Sequence, residues 1–178
     1  MGSMEQVILV DPNDKEIGLE EKLKAHQNGG KLHRAISIFI FNKKGETMLQ
    51  QRASTKYHGA GLWSNTVCSH PRKGETPLQA AHRRLKEEMG FDCNMDEVFS
   101  FTYEAKMDKG LTEKEFDHVI FGVYDQEPRP NPEEVEGWKW VGLEELKESI
   151  EKNPSTYSPW LRIVINDIIK HQKSVKSA

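Results

Sequence analysis

Apolar residues along the chain fall into short runs and stripes whose spacing predicts strands mixed with a few helices. Val7-Ile8-Leu9-Val10 is a β-branched run closed by a turn at Asp11-Pro12-Asn13-Asp14. From Leu19 to Gly30 the pattern is mixed and predicts helix or loop. His33 to Phe41 reads as a buried strand, because Ile36, Ile38, Phe39, Ile40 and Phe41 crowd one short run. Asn42-Lys43-Lys44-Gly45 then turns the chain into a second strand around Thr47 to Arg52.

The best-punctuated helix spans Pro77 to Met89. Thr76 is a good N-cap, Pro77 suits the first helical position, and Gln79 completes a capping-box pattern. Leu78, Ala81, Leu85 and Met89 make one apolar stripe, and Gly90 supplies the stop. Further strands are predicted near Val98 to Lys106, Glu115 to Tyr124 and Trp138 to Val141, with Pro128, Pro130 and Pro132 marking a loop. A helix near Leu143 to Glu151 precedes a final one that starts at Ser158-Pro159. In it Leu161, Val164, Ile165, Ile168 and Ile169 fall at helical spacing, and the polar tail from Lys170 predicts fraying. The expected fold class is α+β, an α/β/α sandwich. Residues 1–3 read as a vector-derived leader before a native start at Met4, with one domain over 4–178.

Composition changes the picture little. With 36% apolar and 30% charged residues, the 178-residue chain is an ordinary globular one. A formal charge of −3 points to neither a nucleic-acid partner nor a membrane surface, so any basic cluster must act locally on an anion. Cys68 and Cys93 cannot make a disulfide framework and suit a reducing compartment. No run of about 18 apolar residues and no secretory signal is visible, so the expectation is a cytoplasmic monomer.

The segment Gly74-Glu75 through Arg83-Arg84-Leu85-Lys86-Glu87-Glu88-Met89-Gly90-Phe91 resembles the Nudix signature. In that family a loop and helix place carboxylates on one helical face to hold divalent metal against a diphosphate. Two positions depart: Ser69 stands for the first glycine, and Arg84 replaces the glutamate after Arg83. A guanidinium removes a metal ligand and adds a phosphate grip, which disfavours pyrophosphate hydrolysis but keeps diphosphate binding. Asn65-Thr66-Val67-Cys68-Ser69-His70-Pro71 resembles the cysteine motif of type I isopentenyl-diphosphate isomerases, which have a Nudix-like mixed sheet flanked by helices and an N-terminal extension. Agreement recurs in order at Glu21-Lys22 to His26, Gln51-Arg52-Ala53, Tyr103-Glu104-Ala105, Glu113 to Glu115, and Tyr157-Ser158-Pro159-Trp160.

The resemblance implies roles. Moving a double bond needs a proton delivered to one carbon and another removed two carbons away, through an intermediate of carbocation character. Cys68 and Glu113 are the expected acid–base pair, with Tyr103 beside Glu113 and Trp160 facing the cation. An indole face is worth about 2 kcal/mol to a desolvated cation. His26, His33, His70, Glu113 and Glu115 are the expected ligands of a divalent ion such as manganese, zinc or magnesium. Lys22, Arg52, Lys56 and Arg84 are expected to grip the diphosphate, and Glu88 to hold a magnesium ion that arrives with it. No flavin is implied.

Read without the resemblance, each residue has a plainer meaning. A cysteine is usually a small buried hydrophobe, and Cys93 keeps that reading. Glu113 and Glu115 share one strand face but could belong to an exposed edge strand. Arg84–Glu88 could be a surface ion pair worth well under ~1 kcal/mol. His58, His82, His118 and His171, like Trp63, Trp138 and Trp140, read as surface, core or pocket wall. A Nudix-type hydrolase and a non-catalytic metal- or diphosphate-binding protein are the rival functions.

Overall fold

The structure, a computed structural model, describes residues 5–56 and 59–176, with side chains to 173. The leader at residues 1–3 and His58 lie outside it. Among the described residues, nine strands form one mixed sheet. Strand β1 (Gln6–Val10) pairs antiparallel with β2 (Glu16–Glu21) at a sheet edge. β2 corrects the expected helix or loop from Leu19. Its run Glu16-Ile17-Gly18-Leu19-Glu20-Glu21 alternates only through Ile17 and Leu19, too short a signal to mark a strand without its pairing to β1, and helix is confined to α1 (Lys22–His26).

The central strand is β3 (His33–Phe41). It pairs antiparallel with β4 (Thr47–Arg52) and β6 (Val67–Ser69), and parallel with β8 (Thr112–Val123). β5 (Trp63–Ser64) and β9 (Val135–Val141) pair with β4, and β7 (Met95–Lys106) pairs with β8. The sequence does not announce β5 and β6, because two or three residues are too few to show a period.

Side chains alternate across β3 and β8, so each face collects its own core. Ile36, Ile38 and Ile40 meet Ala81, Leu85 and Met89 of α2 (Pro77–Met89). Phe39, Phe41 and Val119 meet Leu146 of α3 (Leu143–Lys152) and Leu161 and Ile165 of α4 (Pro159–Lys176). Helices on both faces make the expected sandwich. The α4 face is divided along its length. At one end it carries Phe39, Phe41, Val119 and Phe121; at the other, the same alternation brings up His33, Ser37, Glu113, Glu115 and Asp117. The polar end is where the site forms.

α2 has the expected capping box, with Thr76 accepting from the Gln79 N–H and the Gln79 side chain returning to the Thr76 N–H. It ends at Gly90 with φ 74°, and a Cβ there would lie 2.3 Å from the Arg129 carbonyl oxygen. Gly90→Ala combines a left-handed backbone with that collision, so stability should fall by about 2 kcal/mol or more. Urea unfolding checks this; an unchanged midpoint would contradict it. α4 stays helical to Lys176, past the Lys170 where its polar tail predicts fraying. Buried Ile168 and Ile169, and Gln172 donating to the Gly45 carbonyl at 2.9 Å, hold those turns. No helix among the described residues is long and apolar enough to cross a membrane.

Candidate active site

Strand register assembles the acidic part of the site. His33 on β3 stands opposite Glu115 on β8, and Tyr103 on β7 stands opposite Glu115 from the other side. β8 is therefore an interior strand, and both Glu113 and Glu115 are buried; the exposed-edge reading of this pair is wrong. The Tyr103 hydroxyl reaches Glu113 Oε2 at 2.7 Å and also contacts Glu115 Oε1. Burial, with the two carboxylates beside it, pushes the Tyr103 phenol well above its ordinary pKa.

Three histidines close around Glu115. His33 Nε2 and His70 Nε2 lie 3.0 and 2.7 Å from Glu115 Oε2, and His26 Nε2 lies 3.9 Å from Glu113 Oε1. The ligating atoms of His26, His33, His70 and Glu115 all fall within 4.8 Å of one another. The outer ring nitrogens of two histidines are fixed: His26 Nδ1 meets the Lys22 carbonyl at 2.6 Å and His33 Nδ1 meets the Lys31 carbonyl at 2.8 Å. A backbone carbonyl accepts, so both Nδ1 atoms carry a proton and both Nε2 atoms face inward. That is how protein-held imidazoles meet a metal. Burial lowers the pKa of His26, and pushes that of His70 down to about 4. For His33, burial opposes the charge but the Glu115 hydrogen bond overrides it and raises the pKa. Burial likewise opposes ionisation of Glu115, yet His33 and His70 hold its carboxyl well below the usual range. Imidazole nitrogens with ionised carboxylate oxygens are a donor set that fits a divalent transition ion.

Above this cluster opens a cavity of about 310 Å³. Cys68, Tyr103, Glu113 and Trp160 reach its walls, and so do all four expected cationic residues, Lys22, Arg52, Lys56 and Arg84. Cys68 is half-buried on β6, opposite Ser37, with its thiol donating to Asn65 Oδ1 at 3.0 Å. Burial, and then the nearby Asp117, pushes the thiol pKa up. The start of α4 is tied to β5 by the Ser158 N–H donating to the Trp63 carbonyl at 2.9 Å, which brings Trp160 over the site. The Arg52 guanidinium lies 5.3 Å from the Trp160 ring centre.

Three of the cations are held by carboxylates: Lys22 by Glu5 at 3.4 Å, Lys56 by Glu134, and Arg84 by Glu87 and Glu88 at 3.0 and 2.9 Å. Burial opposes the charge on Arg84, but Glu88 and its neighbours raise its pKa all the same. Arg84–Glu88 is not the surface pair of the plain reading, since Glu88 is 2% exposed. Glu88 stands apart from the histidine cluster, with Gln50 Nε2 donating to its other oxygen at 3.3 Å.

A profile of the NUDIX domain matches residues 31–161. An isopentenyl-diphosphate Delta-isomerase 1 of Aromatoleum aromaticum is 54% identical over 93% of this chain and 93% of its own. An isopentenyl-diphosphate Delta-isomerase of Serratia proteamaculans is 47% identical over 92% and 91%. The chain belongs to the isopentenyl-diphosphate Delta-isomerase family. The fold extends further: a Deinococcus radiodurans crystal structure superposes with TM-score 0.78 at 20% identity, covering 92% of this chain and 98% of its own.

Within this isomerase-family chain the Nudix segment is retained as architecture. Arg83 grips Glu75 through two nitrogens, at 2.7 and 2.9 Å, bracing the loop before α2 against the helix. The other expectations fall out simply. Cys93 is half-buried against the α2 core, His82 pairs with Asp92 at 2.6 Å, and His171 stacks on Phe99. His118 is clamped between Glu97 and Asp14. Sequence reasoning misses the buried polar groups that bond Asp117 and Trp160. Ser37 donates to Asp117 Oδ2 at 2.6 Å, and Ser64 and Asn65 bond the Trp160 indole. A serine or asparagine looks the same in sequence whether solvated or buried, so only the assignment of β5 and β6 to the sheet would reveal them.

Proposed function

We propose that the chain isomerises isopentenyl diphosphate to dimethylallyl diphosphate and back, with Cys68 and Glu113 exchanging protons with the carbon skeleton. The observation that carries this reading is one cavity bearing a thiol, a carboxylate–phenol pair and four cationic side chains. The cationic groups would seat the diphosphate by charge-assisted hydrogen bonds and so fix the five-carbon tail among Cys68, Glu113 and Trp160. Tyr103, bonded to Glu113, would hold that carboxylate in place and share its proton. The Trp160 face would favour the electron-poor carbon skeleton.

His26, His33, His70, Glu113 and Glu115 would hold one divalent ion, manganese, zinc or magnesium, and Glu88 a magnesium ion that enters with the diphosphate. Such ions supply positive charge that fixes the carboxylates and neutralises the phosphates. The chain's own groups carry the proton steps, with no flavin. We place the protein as a cytoplasmic monomer without nucleic-acid or membrane partners, in keeping with its near-neutral charge and two unpaired cysteines.

Arg84→Ala should raise KM for isopentenyl diphosphate by about tenfold or more while changing kcat less, since an ionised donor to the phosphates is lost. Steady-state rates check this, and an unchanged KM would remove Arg84 from the phosphate grip. Phosphorus NMR during turnover with Mg²⁺ tests the reading as a whole. The diphosphate should stay intact as the substrate is consumed; free phosphate or pyrophosphate would favour hydrolysis.

A further inference from the structure

The Asn65 side chain occupies a place in the site that its motif alone does not explain. It is fully buried on the turn between β5 and β6. Its Nδ2 donates to the Ile38 carbonyl at 3.1 Å and to the Val67 carbonyl at 3.0 Å. Two acceptors on that side leave only one orientation for the amide, so Oδ1 must face the other way. On that other side three donors converge: Cys68 Sγ at 3.0 Å, Ser64 Oγ at 3.0 Å and Trp160 Nε1 at 3.1 Å. The indole N–H is shared with Ser64 Oγ at 3.0 Å, which in turn meets Ser158 Oγ at 2.9 Å.

One carbonyl oxygen thus joins a thiol on β6 to an indole on α4, and the backbone of β3 anchors it through Ile38. Cys68 and Trp160 come from distant parts of the chain and line the same cavity. A half-buried thiol can take more than one rotamer, and a helix-borne indole can tilt. A shared, doubly anchored acceptor limits both motions at once. The Ser37 hydroxyl, 3.9 Å from Cys68 Sγ, already donates to Asp117, so the short thiol contact is the one to Asn65.

We propose that Asn65 is a positioning residue: its carboxamide oxygen sets the Cys68 sulfur and the Trp160 ring in register with each other around the substrate's carbon chain. The proposal rests on the catalytic reading of Cys68 and Trp160 given above. The Asn65 amide bonds run to Ile38, Val67, Ser64, Cys68 and Trp160, so its loss should act on turnover and spare binding.

The test compares wild type, Asn65→Ala and Trp160→Phe by steady-state isomerisation and by peptide-resolved alkylation of Cys68 with iodoacetamide at fixed pH. Asn65→Ala should lose about 10²-fold in kcat with KM for isopentenyl diphosphate within about threefold, the loss expected of a misplaced reacting group. Its Cys68 alkylation rate should differ several-fold from wild type, while that of Cys93 should not change. Trp160→Phe keeps an aromatic face and loses only the N–H, and should fall about tenfold in kcat. An Asn65→Ala protein that folds, keeps kcat within twofold and alkylates at the wild-type rate would overturn the proposal. A rise in KM matching the fall in kcat would overturn it as well. If Asn65→Ala does not fold, Trp160→Phe decides: wild-type kcat there contradicts the shared anchor. A wild type that does not isomerise the substrate would instead defeat the catalytic reading, and the alkylation rates would still decide whether Asn65 places the sulfur.

Discussion

Cys68→Ala is expected to lose about 10³-fold in kcat, the range of one acid–base group, while its fold and its affinity for inorganic pyrophosphate stay as they were. The sulfur stands on the wall of the cavity with its thiol bonded to Asn65, and alanine removes one atom from a half-buried position. Asn65 Oδ1 retains Ser64 and Trp160 as donors, so no buried acceptor is orphaned and the sheet has no reason to shift. The thiol's hydrogen bond runs to Asn65, away from the phosphate grip, so pyrophosphate binding should survive the loss of the sulfur. Initial rates and titration calorimetry together check the claim. A variant with wild-type turnover would remove the thiol from the reaction; one that also stops binding pyrophosphate would mean that the cavity had collapsed.

Glu115→Gln should lower bound divalent metal by at least about tenfold, with turnover falling alongside it. Glu115 accepts from His33, His70 and Tyr103, and among the described residues it is the carboxylate that groups with all three imidazole ligand atoms within 4.8 Å. The amide has nearly the same shape, but it carries no charge and turns a donor towards groups that need an acceptor. Elemental analysis after gel filtration measures the stoichiometry. Unchanged metal content would show that Glu115 is not a ligand, whatever happened to the rate.

Much of this was legible in the sequence where local rules are strong. Thr76, Pro77, Gln79 and Gly90 define α2 to the residue because caps and stops act within one turn. The apolar run of β3 reads as a strand buried on both faces, and helices do cover both. β2 was hidden because Ile17 and Leu19 are too short an alternation to mark a strand before its pairing with β1 is known. The burial of Glu113, Glu115 and Glu88 was equally hidden. A carboxylate's spacing reveals which face it shares, but not that β7 and β3 enclose β8 or that Gln50 reaches Glu88. The cationic residues came together because resemblance supplied their roles; positions 22, 52, 56 and 84 share no local pattern. Asn65 was visible as a letter in a motif, but one of its three converging donors, the Trp160 indole, lies 95 residues away.

The most direct measurement follows isopentenyl diphosphate with the metal-loaded protein in heavy water by proton NMR. The account predicts that dimethylallyl diphosphate appears with deuterium on the carbon that gains the proton, and that Cys68→Ala under the same conditions produces almost none. Substrate that disappears without dimethylallyl diphosphate forming, or that persists unchanged beside folded and metal-loaded protein, would contradict it.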